Sequence, residues 1–148
     1  MMMLTRKKSK KNCIFLLTRG YTWRNLKSYN WLIGRNRLIA SFLKSQEAVG
    51  KGWTNFKLIA FHEGNISIFQ QFYIDVMSGI KTQYIDISQD FKLEPSHAWR
   101  SQPEQLLSYS LMCHFHYKHV WKYLAEYNLI SRVDEDVLMH IGFFRLLY

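Results

Sequence analysis

Three consecutive acids follow a short apolar run near the end of this chain: Leu129-Ile130-Ser131-Arg132-Val133, then Asp134-Glu135-Asp136. Adjacent carboxylates repel one another, so grouping them is unfavourable unless a cation offsets the charge. Hard divalent ions such as Mg²⁺ and Mn²⁺ prefer carboxylate oxygens and often keep phosphate oxygens as further ligands. Asp134 and Asp136 have the alternate spacing that lets two side chains approach one ion or its bound diphosphate. A metal held there acts as a Lewis acid on a departing nucleoside diphosphate. On the triplet alone, a polar turn after a strand is an equally good reading.

The other chemistry-bearing groups read differently. Cys113, His114, His116 and His119 have the residue types of a zinc site, but a second ligand pair is missing and positions 114 and 116 diverge on a helix. Histidines on a helix face are the better reading. A Gly-X-Ser-X-Gly elbow is absent, and Cys113 has no evident orienting partner for nucleophilic work. Cys13 and Cys113 both lie beside apolar residues and read as buried free thiols.

The acids must be positioned by the elements around them. Residues 12–18 read as a continuously apolar strand, as in a parallel sheet covered on both faces. A helix is expected over 23–45, with Leu26, Trp31, Leu38, Phe42 and Leu43 as its apolar stripe. Lys57–Phe61 reads as a second strand. Ser67 is a plausible N-cap for a helix to about Met77, with Gly79 closing it. Thr82–Ile87 alternates polar and apolar, which suits a third strand nearer an edge. Residues 88–103 hold both prolines and read as a surface loop. Glu104–Glu126 has helical periodicity, and Asn128–Val133 is a fourth strand that ends at the acids. The order βαβαβαβ predicts an α/β fold with a mostly parallel sheet, a Rossmann-like three-layer sandwich, and ligands at the carboxyl ends of its strands.

With that order in view, the acids and a second segment resemble a known family. Asp134-Glu135-Asp136 after an apolar strand looks like the Asp-X-Asp motif of GT-A glycosyltransferases. Upstream, Tyr109-Ser110-Leu111-Met112-Cys113-His114-Phe115, a helix, and Glu126-Tyr127-Asn128-Leu129 running into the acids and Val137 resemble the fungal α-1,2-mannosyltransferase family and related uncharacterised transferases. Leu17-Thr18-Arg19-Gly20 and Phe61-His62-Glu63-Gly64-Asn65 look like the nucleotide-side loops of such enzymes. The resemblance spans roughly residues 12–137. It implies the nucleotide-sugar-binding half of a GT-A fold and metal-dependent hexosyl transfer. The donor would be GDP-mannose or a UDP-hexose, the partner a glycan or lipid-linked acceptor, and the metal Mn²⁺ or Mg²⁺. Asp134 and Asp136 would hold the metal, while Arg19, Tyr109 and Asp134 would face the nucleotide. The family arginine after Met-Cys is His114 here. The acceptor site, the catalytic base of inverting members and a late metal-binding histidine lie downstream of this motif in GT-A folds, and His140–Tyr148 does not look like the family's continuation. The expectation is therefore a truncated or frame-shifted chain, or one half of a split enzyme, with low or no transferase activity of its own.

The bulk properties allow this and one rival. The chain has 148 residues, one domain's worth, with 48% apolar and 21% charged residues, so a real core is expected. Residues 1–11 read as a basic flexible tail and 12–148 as one α/β domain. The net charge of +9 draws phosphates of any kind. The run Arg6 to Lys11, with Trp23, Arg24, Lys27, Tyr29, Trp31, Arg35 and Arg37, would serve a nucleic-acid-binding domain without catalysis. No known nucleic-acid motif accompanies it, and the acidic triplet would repel a phosphate backbone. No apolar run reaches the ~20 residues of a membrane span, and the early run Cys13–Leu17 is too short for a signal peptide. The cytoplasm is the expected location.

Overall fold

The structure, a computed structural model, describes residues 11–18, 26–48, 56–92 and 103–134. The chain runs β1 (Asn12–Leu17), α1 (Leu26–Ala48), β2 (Phe56–His62), α2 (Ile68–Ser78) and β3 (Thr82–Asp86). It continues through α3 (Glu104–His114), a π-helical turn (Phe115–His119), α4 (Val120–Leu124) and β4 (Leu129–Arg132). The four strands form one parallel sheet in the order β3-β2-β1-β4. The expected α/β architecture with a parallel sheet is therefore present, and β3 lies at an edge of the described sheet.

Side chains alternate across a strand, and here that alternation builds two cores. Ile14 and Leu16 of β1 join Leu58 and Ala60 of β2 on one face, under Leu32, Ile33 and Ile39 of α1 and Ile74 of α2. Cys13, Phe15, Ile59 and Phe61 point the other way, against Phe115, Val120 and Leu124. Both faces of β1 and β2 are thus covered, which is why these strands read as unbroken apolar runs. The path from β1 to β2 to β3 moves in one direction and keeps α1 and α2 on one face. The return past β1 to β4 reverses direction and carries the later helices to the opposite face, as a constant crossover hand requires.

Local chemistry sets the boundaries of α2. The Ser67 hydroxyl accepts from the Gln70 backbone N–H, and the Gln70 side chain accepts from the Ser67 N–H at 2.7 Å, a reciprocal capping box. Gly79 closes the helix in the left-handed region at φ 71°, donating its N–H to Asp75 O. Asp75 also binds the next strand, accepting from Thr82 N–H and Tyr84 Oη.

Elsewhere the structure corrects the expected details. The helix begins at Leu26 and runs to Ala48. Its core stripe is Leu32, Ile33, Ile39 and Ala40, whereas Leu38 is 49% exposed. Arg35, named among the cations of the nucleic-acid-binding alternative, is buried. The side chains of Leu26, Trp31 and Phe42 lie outside the described residues. Lys11, read as part of a flexible tail, is tied to the fold: its carbonyl accepts from Asn128 N–H at 2.7 Å and its ammonium pairs with Glu126. Cys13 is buried as expected, and burial pushes its thiol up to about 12. Cys113 is exposed instead.

The expected single helix over 104–126 is interrupted by the π-helical turn, whose ring closes from Val120 N–H to Phe115 O. In a regular α-helix residues five apart stand about 140° apart. The i→i+5 bond stacks Val120 over Phe115, so both reach the sheet together with Leu124. Among the described residues no helix is long and apolar enough to cross a membrane.

Asn36 is fully buried in α1, and neither its Nδ2 nor its Oδ1 has a hydrogen-bond partner. An unmet buried amide costs about 1–3 kcal/mol. Asn36→Leu is expected to raise the urea midpoint, by on the order of 1 kcal/mol of stability. A fall in midpoint would show that the amide is satisfied in solution.

Candidate functional site at the carboxyl ends of β1 and β4

From β1 the chain moves to β2 and β3 on one side, and the connection into β4 returns to the other side of β1. A parallel sheet opens a crevice at such a point, outside the carboxyl ends of the strands. Phe15 and Arg132 are register partners there, and Val133 N–H continues the ladder to Phe15 O at 2.9 Å. The next residue, Asp134, emerges at that end and is exposed. On the far side of β1, Thr18 is buried, and both its N–H and its hydroxyl donate to Phe61 O, at 2.9 and 3.1 Å. Thr18 therefore fastens β1 to β2 and has its hydroxyl proton committed.

Asp134 does not stand alone. Arg132, two residues earlier, donates from Nε to Asp134 Oδ1 at 2.8 Å, with Nη2 2.7 Å from the same oxygen. The two side chains are 43% and 48% exposed. A surface pair of this kind contributes roughly 0–1 kcal/mol, so a better ligand for either partner can separate them.

His116 completes the group. The π-helical turn brings its ring to 6.2 Å from the Phe15 ring and holds its Nδ1 2.9 Å from Met112 O. Nδ1 must be the protonated nitrogen to make that bond, so Nε2 carries a lone pair. Nε2 is buried without a hydrogen-bond partner. Burial holds the imidazole below its ordinary range, and the nearby Arg132 guanidinium pushes the same way. The Met112 carbonyl and the Asp134 carboxylate oppose them.

The neighbouring strand ends are polar but self-contained. His62 is buried at the end of β2 and accepts at Nδ1 from Gly64 N–H at 3.2 Å. Gly64 has φ 76°, a conformation open to glycine at little cost, and a Cβ there would meet Asp86 Oδ2 at 3.4 Å. Burial lowers the His62 imidazole, with Asp86 opposing. Asp86 itself is held low chiefly by the Ser88 backbone N–H. Further along, Asp90 binds Lys122 Nζ at 2.6 Å and Tyr123 Oη at 2.7 Å. Burial works against the Asp90 charge, and these partners outweigh it.

Of the residues expected at the site, the structure places Asp134 at the strand end. Tyr109 is 63% exposed on α3, and none of the described α3 side chains enters either core. Arg19 and Asp136 lie outside the described residues, as does Glu135. A hard cation takes several oxygen ligands. Among the described residues no three of His, Cys, Asp or Glu gather as a metal-binding group. With Asp134 alone, the described residues do not by themselves fit a metal. His114 lies 5.0 Å from the His119 ring, and His119 Nδ1 is 3.6 Å from Asp90 Oδ1.

Sequence reasoning did not bring Arg132 or His116 to this site. The period of two that aligns Asp134 with Asp136 aligns Arg132 with both, so Arg132 had a usable signal. His116 had none, because its placement depends on the π-helical turn. Compared with known proteins, the chain matches no family model, no curated protein and no solved structure.

His62 and His116 predict an acid-sensitive fold. Their native pKa values lie below the 6.5 of an unfolded histidine. The unfolded chain therefore binds more protons, and the stability of the neutral rings is lost as pH falls below about 6.5. Urea midpoints measured from neutral to mildly acidic pH should decline, and His116→Gln should flatten the decline. An equal slope in the variant would show that His116 titrates freely in the native state.

Proposed function

We propose that this chain binds the diphosphate of a nucleotide sugar at the β1/β4 crevice, as the donor-binding half of a GT-A-type glycosyltransferase. The observation that carries this reading is the position of Asp134, at the carboxyl end of the strand just past the reversal of strand order. Arg132 supports it: a guanidinium that Asp134 neutralises can turn to a diphosphate, whose oxygens it can grip in fork geometry. His116 adds a buried nitrogen on a ring that feels the same two charges. The acidic triplet and the Met112-Cys113 segment supply the family likeness, and with it hexosyl transfer to a glycan or lipid-linked acceptor.

In this reading Asp134 and Asp136 would take Mn²⁺ or Mg²⁺, which offsets the charge of the diphosphate. Asp134 would leave Arg132 for the cation, freeing the guanidinium for the ligand. The exchange costs little because the pair is exposed. Arg19 and Tyr109 would contribute on the nucleotide side.

A thermal-shift titration with GDP, UDP and their sugar conjugates, with and without Mn²⁺, tests the proposal. A ligand that binds only the folded state raises its stability by mass action, by about 2.7 kcal/mol at a hundredfold excess over Kd. The expected result is a rise in Tm that needs both Mn²⁺ and one nucleotide and disappears in Asp134→Asn. A rise that needs no metal and fades steeply with salt would instead favour nucleic-acid binding through the basic surface.

A further inference from the structure

The outer face of α2 is apolar and exposed. Ile68, Phe69, Phe72, Tyr73 and Val76 are 80%, 87%, 70%, 51% and 61% exposed, while Ile74 and Ser78 on the opposite side are buried. At 100° per residue the five lie within an arc of about 140°, diametrically across from Ile74. A contiguous exposed apolar helix face of this kind marks a contact surface. With each aromatic ring worth about 150–250 Å², the five side chains present on the order of 600 Å² of apolar surface. That is at the upper end of what a monomer tolerates, about 300–600 Å².

We propose that this face pairs with the same face of a second copy of this chain. The area fits: a stable interface needs about 800 Å² per partner, and an apolar centre of this size with a polar rim reaches it. The pattern is self-complementary. Ile68, Phe72 and Val76 form a ridge at four-residue spacing, with Phe72 central. A twofold axis at Phe72 sets Ile68 of one copy against Val76 of the other, as a symmetric contact requires. The charge also fits. In a chain of net charge +9, most surfaces of two copies repel. Between Ser67 and Ser78 the sole charged residue is Asp75, and its carboxylate is engaged by Thr82 and Tyr84. The patch is aromatic-rich and free of charge, as interface centres are.

Sedimentation equilibrium of the full chain over about 1–100 µM is the test, since that range covers affinities typical of a weak to moderate dimer. The expected result is a monomer–dimer equilibrium. Phe72→Glu should weaken it about 30-fold or more, as loss of a central anchor does, and Val76→Lys should weaken it too. Both variants alter exposed positions and should keep the parent's circular dichroism and cooperative melt as monomers. A parent that stays monomeric, or a dimer untouched by both substitutions, overturns the proposal. So does a monomeric parent that binds phosphatidylcholine vesicles and loses that binding in Phe72→Glu, which would assign the face to lipid.

Discussion

The structure hangs on β1. Like β2 it has a parallel neighbour on each side, and its two faces supply both cores through Ile14 and Leu16 on one and Cys13 and Phe15 on the other; it alone also pairs with β4, the strand that carries Asp134 at its end. No polar side chain can be placed there without loss of a hydrogen-bonding partner. Its central position also creates the crevice. Because β2 lies on one side of β1 and β4 on the other, the carboxyl ends of β1 and β4 lie side by side. The polar groups that matter, Arg132, Asp134 and the buried nitrogen of His116, lie around that meeting point.

Much of this was legible in the residues because it rests on local patterns. The unbroken apolar run of β1 requires cover on both faces, and parallel pairing follows. Ser67 and Gly79 announce the ends of α2 through capping chemistry that acts within a few residues. The place of Asp134 at the end of β4 follows from strand period and strand order. Features decided by tertiary packing were not legible. Leu38 carries the spacing of a core residue but is exposed, since the sheet takes the adjacent stripe through Leu32, Ile33 and Ile39. Arg35 is buried for the same geometric reason. The π-helical turn has no signature in composition; it exists because Phe115, Val120 and Leu124 must all reach one surface, and His116 inherits its place from that demand.

The two proposed binding surfaces differ physically in kind. The crevice is charged and exposed, and its central ion pair is cheap to open, as a site that exchanges an internal partner for a ligand requires. The outer face of α2 is uncharged and apolar, and it lies on the helix layer opposite the π-helical turn. A ligand at the first should leave the second unchanged, and association through the second should leave Asp134 accessible.

The claim at the centre of this account is that a nucleoside diphosphate is held at the β1/β4 crevice. Amide chemical-shift mapping by NMR, with GDP or UDP titrated in the presence of Mg²⁺, tests it most directly. The account predicts that the largest shifts fall at Thr18, at Arg132–Asp134 and at His116, with the ends of β3 little changed. Shifts concentrated among the basic residues before Asn12, with Arg132–Asp134 unmoved, would contradict it.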